Sequence, residues 1–337
     1  MDNVFVIAEA GANHNRNFQQ ATALIDEAVR AGANAVKFQT YSSETLYSSN
    51  TPDFAGYQNI TKLIKDIELP RPWQRDLKSY CDDHGVEFMS TPFDEQAIEE
   101  LYEIGVKRYK IAGFEATDPR FVRCVANTQL PLIITAGIGS NVGMVRRILG
   151  WVRDVNPAAD ITILHGNNAY PTPFEDAGLN QIDILRESVP GIQVGLSDHT
   201  PGIWVPPMAV AKGATVIEKH YTLSRALPGP DHPFAIEPSE LRQMIIDIRR
   251  AEVVCQTKNG NLSKSEEKFA TGMRSVVAKG SIRKGDVLTH DNLTTKRPLL
   301  ENSIPALDYY EMIGLRAATD MENDHILRAT DVVKAHP

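Results

Sequence analysis

The chain has little that a cross-linked, secreted or surface-binding protein needs. Its 337 residues hold three cysteines, Cys81, Cys124 and Cys255. The number is odd, the spacing is wide and no CxxC occurs, which argues against a disulfide framework or a zinc knuckle and fits a reducing cytoplasm. Positive charge is short as well: 35 lysines and arginines face 43 aspartates and glutamates, a formal net charge of −8. Neither a nucleic-acid nor a membrane partner is expected, because both need a basic surface. Anionic small molecules are not excluded, since a few lysines converging in a pocket set the local field. Long hydrophobic runs are missing too. The run Val4 to Ala8, after Met1-Asp2-Asn3, is too short for the apolar part of a signal peptide or for a membrane span.

What is present is an ordinary globular composition, 42% apolar and 23% charged, in a chain long enough for a barrel of about 250 residues plus a small appendage. Eight short β-branched or apolar runs read as strands: Phe5–Glu9, Ala35–Gln39, Glu87–Ser90, Arg108–Ile111, Leu132–Thr135, Ile161–Leu164, Gln193–Leu196 and Thr215–Lys219. Helix-periodic segments such as Gln19–Ala31, Trp73–His84, Glu95–Ile104, Val142–Val152 and Pro238–Val254 fall between and after them. Strand-then-helix eight times predicts an α/β fold with a parallel sheet, and the length favours a closed (β/α)8 TIM barrel over 1–255. An open doubly wound sheet is the competing arrangement, but the first turn, Gly11-Ala12-Asn13-His14, lacks a dinucleotide fingerprint. The long Tyr41–Pro70 connection reads either as a wall or lid over the barrel mouth or as a surface insertion. After residue 255 the pattern changes. Lys258-Asn259-Gly260-Asn261 reads as a turn within a linker over 256–274, and short strands and turns predict a small second domain over 275–337.

Residues at the carboxyl ends of barrel strands face the active site. Every predicted strand carries a polar group there: Glu9; Lys37 and Gln39; Ser90-Thr91; Lys110, leading to Glu115; Thr135; His165 through Tyr170, including Asn168; Ser197-Asp198-His199; and Glu218-Lys219-His220. One strand-end Thr or Asn would read as a helix cap, but eight polar ends together predict a functional rim. Lys37 and Lys110 point to an anionic phosphate or carboxylate, because a buried cation without an anion is costly. Pairing with Glu9 or Glu115 is the other reading of these lysines, and a Schiff-base lysine is a third. His199 and His220, ending neighbouring strands, have the donors for a catalytic metal with open positions; a general acid–base pair competes with that reading. Asp198, Asp231 and His232 are nearby candidates for further ligands or supporting partners.

Taken together, several segments resemble the sialic acid (N-acetylneuraminate) synthases, the family that includes legionaminate and pseudaminate synthases. They are Ile7-Ala8-Glu9-Ala10-Gly11-Ala12-Asn13-His14, Ala35-Val36-Lys37-Phe38-Gln39-Thr40, Ser90-Thr91-Pro92-Phe93-Asp94, Tyr170-Pro171-Thr172-Pro173, Gly195-Leu196-Ser197-Asp198-His199-Thr200, Glu218-Lys219-His220-Tyr221-Thr222-Leu223 and Pro228-Gly229-Pro230-Asp231-His232. The C-terminal part resembles the antifreeze-like SAF (β-clip) domain of these enzymes, with Lys296-Arg297-Pro298 in the matching place. The resemblance implies condensation of phosphoenolpyruvate with an N-acyl hexosamine such as N-acetylmannosamine, with water, to give a nine-carbon 2-keto sugar acid and phosphate. A diacetamido hexose is the alternative acceptor. It implies a divalent Mn2+ or Mg2+ ion on His199 and His220 acting as a Lewis acid on the sugar aldehyde. It places phosphoenolpyruvate on Lys37, Thr91, Lys110, Thr135, Asn168 and Tyr170, catalytic acids at Glu9 and Glu115, and sugar contacts at Asp231 and Arg297. In the family the arginine matching Arg297 reaches into a partner's barrel, which implies a domain-swapped homodimer.

The chain departs from the family pattern at four places. Gly113 stands for a serine, and Thr135-Ala136-Gly137-Ile138 stands for a Ser-Thr-Gly-Met run. Gly166-Asn167 stands for a Cys-Thr or Cys-Ser pair, and Leu299-Leu300-Glu301-Asn302 stands for a glycine-rich turn. The first three remove hydroxyls from the anion side, and the last bears on the acyl end of the sugar. Two other function classes are open at this point: a Schiff-base aldolase using Lys110 or Lys219, and a non-catalytic carbohydrate or ice-surface binder built on the small domain.

Overall fold

The computed structural model describes residues 3–48, 50–53, 58–139, 141–256 and 262–333. The chain divides into two compact units, Met1–Gln256 and Thr257–Pro337.

In the first unit eight parallel strands alternate with helices. The strands are β1 (Phe5–Glu9), β2 (Ala35–Thr40), β3 (Glu87–Pro92), β4 (Tyr109–Ile111), β5 (Leu132–Ala136), β6 (Ile161–Gly166), β7 (Gln193–Asp198) and β8 (Val216–His220). The order β3-β2-β1-β8-β7-β6-β5-β4 brings the edges β3 and β4 together and closes a (β/α)8 barrel. The helices are α1 (Phe18–Ala31), α2 (Ser43–Leu46), α3 (Ile60–Ile67), α4 (Trp73–Asp83), α5 (Glu95–Glu103), α6 (Pro119–Ala126), α7 (Val142–Arg153), α8 (Asn180–Ser188), α9 (Val205–Ala211) and α10 (Pro238–Val254). The Tyr41–Pro70 connection is therefore not bare loop, since it carries α2 and α3. None of the described helices is long and apolar enough to cross a membrane.

Local chemistry explains the boundaries. Asn17, Asp94 and Asn141 cap α1, α5 and α7 by accepting the backbone N–H three residues on, a contact worth about 1 kcal/mol each. Gly32 ends α1 in the left-handed region at φ 86°. Each strand is buried on both faces and so is apolar on both. One face of the strands packs on the helices in a large core that includes Val6, Ala8, Val36, Phe38, Ile134 and Ile163. The other fills the barrel lumen with Ile7, Ala35, Met89, Ile133, Leu164 and Val216. Burying each such side chain contributes about 1.5–3 kcal/mol. Helix α10 closes the sequence of units by docking on the start of β1, where Arg249 donates to the Val4 carbonyl and Glu252 accepts the Val4 N–H.

Strands β2, β3, β5, β6, β7 and β8 run one or two residues past the predicted ends. Polar Ser197 and Asp198 look like a strand exit in sequence, yet the ladder continues through Ser197↔Glu218 and Asp198↔Lys219. The second unit pairs β9 (Ser275–Ala278) with β10 (Leu293–Lys296), and β11 (Arg316–Ala317) with β12 (Val332–Val333), all antiparallel. Its own core gathers Val276, Ala278, Ile282, Leu288, Leu293, Ile304 and Leu327. The segment read as a linker holds a short helix α11 (Lys264–Glu267) and a 3-10 turn at Ala270–Gly272. The turn predicted at 258–261 lies outside the described residues.

Candidate active site

The lumen is layered by the two-residue period of the strands. Two residues downstream of apolar Ile7, Ala35, Met89, Ile133 and Val216 stand Glu9, Lys37, Thr91, Thr135 and Glu218, and all five line one cavity at the carboxyl ends of the strands. The same cavity is lined by Gln39, Phe93, Lys110, Ala112, Gly113, Asn168, Tyr170, Ser197, His199 and His220. Nine of the predicted site residues thus converge: Glu9, Lys37, Thr91, Lys110, Thr135, Asn168, Tyr170, His199 and His220.

The two lysines share one carboxylate. Glu218 Oε1 lies 3.7 Å from Lys37 Nζ and 3.6 Å from Lys110 Nζ, and accepts from Ser197 Oγ at 3.2 Å. Lys37 also meets Glu9 Oε2 at 2.8 Å and donates to Thr91 Oγ1 at 3.0 Å. Burial works to lower the Lys37 ammonium, but the Glu218 and Glu9 carboxylates outweigh it and hold it above the ordinary lysine value. Burial wins at Lys110, which is lowered despite Glu218. Glu218 is itself buried, yet the two lysines hold it below the usual carboxylate range. Burial pushes Glu9 up to about 7 against the pull of Lys37. Gln39 Nε2 donates to the other oxygen of Glu9 at 2.7 Å.

Several buried polar atoms facing this cluster have no hydrogen-bond partner among the described residues: Thr135 Oγ1, Asn168 Oδ1 and Glu218 Oε2. Unsatisfied buried groups are costly, so their gathering around two lysines marks a place where a polar ligand completes the bonding. Gly113 and Gly137 bring the turns after β4 and β5 against each other. A Cβ on Gly137 would lie 2.5–2.6 Å from Gly113 backbone atoms, and one on Gly113 would lie 2.8 Å from Gly137 Cα and 2.9 Å from Asn168 Oδ1.

His199 and His220 face each other with ring centroids 5.5 Å apart. The Tyr170 ring packs tilted against His199 at 4.2 Å between centroids, and Phe234 lies 5.2 Å from His220. The His199 ring bonds through Nδ1 to the Asn167 carbonyl. A carbonyl only accepts, so Nδ1 carries the proton and Nε2 keeps its lone pair. Burial lowers both imidazoles, His220 well below its usual value, with His199 and the lysines adding to the effect at His220. His220 Nδ1 is buried with no hydrogen-bond partner among the described residues, 3.8 Å from Asp231 Oδ2. Neutral, partly unsatisfied imidazoles fit a divalent metal that keeps other positions for water or substrate. Among the described residues no cluster of three or more His, Cys, Asp or Glu side chains surrounds a metal position, so the fit rests on the two histidines.

Three predicted residues stand outside the lining. Glu115 sits on a 3-10 turn after β4, raised to about 6 by burial, against a backbone hydrogen bond and the charge of Lys110. Asp231 takes the Ala12 N–H at 3.1 Å beside His220. Arg297 follows β10 in the second unit. Other candidates are corrected. Asp198 and Lys219 pair with each other on the opposite face of their strands, so neither a ligand role for Asp198 nor a Schiff base at Lys219 has a side chain in the cavity. His232 is fully buried between Thr222 Oγ1 and Asn15 Oδ1, and His165 is engaged by the Ala177 carbonyl. Gln39, Ser197 and Glu218 were read only as rim residues, and Phe93 and Ala112 are lining residues outside the sequence-based site. The signal for two of them is the period: Ser197 and Glu218 precede His199 and His220 by two on the same strands.

The NeuB family model matches residues 24–260, and the SAF domain model matches residues 273–333. This chain belongs to the NeuB family. Among its relatives, the N,N'-diacetyllegionaminic acid synthase of Campylobacter jejuni is 34% identical over 338 residues, covering 97% of this chain and 100% of the relative. The enzyme of the same name from Legionella pneumophila is 37% identical over 306 residues, covering 87% and 85%. The solved structure of an N-acetylneuraminic acid synthetase from Leptospira borgpetersenii in complex with citrate aligns with a TM-score of 0.73 at 32% identity, covering 80% of this NeuB-family chain and 90% of that one.

Proposed function

We propose that this NeuB-family chain is a nonulosonic acid synthase. It joins phosphoenolpyruvate to an N-acyl hexosamine: carbon-3 of phosphoenolpyruvate bonds to the sugar's aldehyde carbon, water adds at carbon-2, and phosphate leaves as its C–O bond breaks. The products are a nine-carbon 2-keto sugar acid and phosphate. The observation that carries the reading is the cavity itself, in which two buried lysines, with Thr135 Oγ1 and Asn168 Oδ1 left unbonded among the described residues, share the lining with the His199–His220 pair.

Lys37 and Lys110 hold the phosphate and carboxylate, with Thr91, Thr135, Asn168 and Tyr170 completing the bonds. Glu9, near pH 7 in its titration, suits transfer of a proton at the sugar oxygen, and Glu115 is the second acid–base group. Asp231 and Arg297 bind sugar hydroxyls and the acyl end. A divalent Mn2+ or Mg2+ ion on His199 and His220 would supply Lewis acidity toward the acceptor's carbonyl. Arg297 lies in the second unit, and the proposed assembly is a homodimer in which that unit completes the partner's barrel.

The names of two of the relatives favour a second reading of the acceptor, a diacetamido hexose leading to a legionaminate-type product. Incubation with Mn2+, phosphoenolpyruvate and a panel of N-acyl and diacetamido hexoses, followed by phosphate assay and product mass, tests both. Phosphate release with one acceptor is expected, and its mass names the sugar. No phosphate with any acceptor would sink the proposal. Covalent trapping of pyruvate by borohydride would instead favour an aldolase.

A further inference from the structure

We propose that the buried Asp198–Lys219 ion pair is the positioning device that sets the separation of the two histidines. The inference rests on the metal reading of His199 and His220, and it adds the residues that hold them in place. Asp198 precedes His199 on β7, Lys219 precedes His220 on β8, and the two are partners in the last rung of the β7–β8 ladder. Strand alternation sends the histidines into the lumen and sends Asp198 and Lys219 to the opposite face. There the carboxylate and ammonium meet at 2.6 Å, each side chain 2% exposed.

The pair is built into a closed set of bonds. The other Asp198 oxygen takes the Thr200 N–H at 3.1 Å and the Thr200 Oγ1–H at 2.9 Å. The Lys219 ammonium also donates to the Thr200 carbonyl. The end of β7, the first turn beyond His199 and the end of β8 are therefore tied to one another directly behind the histidines.

Such a tie acts on the strands that carry the imidazoles, behind the ring contacts that Tyr170 makes with each of them. Both are neutral and do not bond to each other, and the β7–β8 ladder stops one residue before His199. A buried ion pair is a poor source of net stability, since the desolvation of both charges offsets their attraction; its best-attested use is to specify one register. A slip of one residue here would put Lys219 opposite Ser197 or His199 and leave Asp198 buried without its cation. The charges thus select the single strand alignment in which both histidine rings face the same point. Supporting partners of this kind typically change metal affinity by 10–100-fold.

The test is Mn2+ binding by the full-length protein, read from the free-ion electron paramagnetic resonance signal. Lys219→Met alone strands a buried carboxylate and is expected to fold poorly, so the double variant Asp198→Asn/Lys219→Met carries the experiment. It removes both charges, and the asparagine oxygen can still accept from Thr200. The expected result is a Mn2+ dissociation constant raised about tenfold or more, with phosphoenolpyruvate binding to the metal-free protein unchanged. A folded double variant that binds Mn2+ within twofold of wild type overturns the inference, as does equal loss of Mn2+ and phosphoenolpyruvate affinity, which reports general loosening. A wild-type chain that takes up no Mn2+ overturns the reading of the two histidines, and the inference with it.

Discussion

His199 and His220 are rim side chains, and Glu115 is a part-buried acid on the turn after β4, so substitutions separate function from folding differently at the two places. The histidines lie beyond the apolar lumen layer and carry little of the core. His199→Ala and His220→Ala should each lower Mn2+-dependent phosphate release by more than about a hundredfold, beyond the range of a supporting partner, with the thermal melt unchanged. Wild-type rates from either folded variant would refute the metal assignment. Glu115 should report in stability. Its folded value, about 6, lies above the ordinary 4.5. The folded state binds that proton more tightly, so its contribution is complete below about pH 4.5 and is lost as pH rises through about 6. Glu115→Gln should therefore gain on wild type as pH rises, by up to about 2 kcal/mol at 1.36 kcal/mol per pH unit. That figure is a ceiling, because the side chain is only part buried. Urea midpoints at pH 4.5 and 7.5 check it, and a pH-independent difference would count against it.

At the scale of elements, β7 is the strand on which the site depends, and its tightest point is Gly195. A Cβ there would lie 2.3 Å from the Val216 carbonyl oxygen and 2.6 Å from a Leu164 methyl. The first contact is backbone and cannot yield without shifting β8. Gly195→Ala should cost about 1–3 kcal/mol by overpacking and should weaken activity further, since β7 and β8 carry the histidines. Urea denaturation and phosphate release measure the two effects. The same strands show why the sequence could be read so far and no further. Strands buried on both faces give unbroken apolar runs, which made all eight legible, and the shift from Ile7 to Glu9 or Met89 to Thr91 marked their site ends. The runs do not say which face a polar residue takes. Asp198 and Lys219 therefore read as rim residues alike with Ser197, His199, Glu218 and His220, although the alternation turns the first two away and keeps the other four in phase. The bonding of Lys37 and Lys110 to one shared carboxylate depends on three strands meeting, which no local pattern encodes.

The whole molecule consists of two units with separate cores, and the proposed reaction assigns them separate duties: anion and metal to the barrel, part of the sugar to Arg297. If the second unit only stabilised the first, Arg297→Ala would be silent or would harm both substrates alike. The proposal instead predicts that Arg297→Ala raises the KM for the sugar about tenfold or more, the scale of one lost charge-assisted hydrogen bond, while the KM for phosphoenolpyruvate stays within twofold. The proposed swap adds a sharper expectation. A His199→Ala subunit has a defective barrel but an intact Arg297, and an Arg297→Ala subunit has the reverse. When the two variants are mixed under conditions that allow subunits to exchange, and assayed at a sugar concentration well below the KM of the Arg297→Ala variant, half of the dimers become mixed. Each mixed dimer then holds one complete site, made from the barrel of one subunit and the arginine of the other. Activity should recover to about a quarter of wild type in a two-fold symmetric dimer. If Arg297 instead served the barrel of its own chain, no mixed dimer would contain a complete site, and the mixture would stay as slow as the average of its parts.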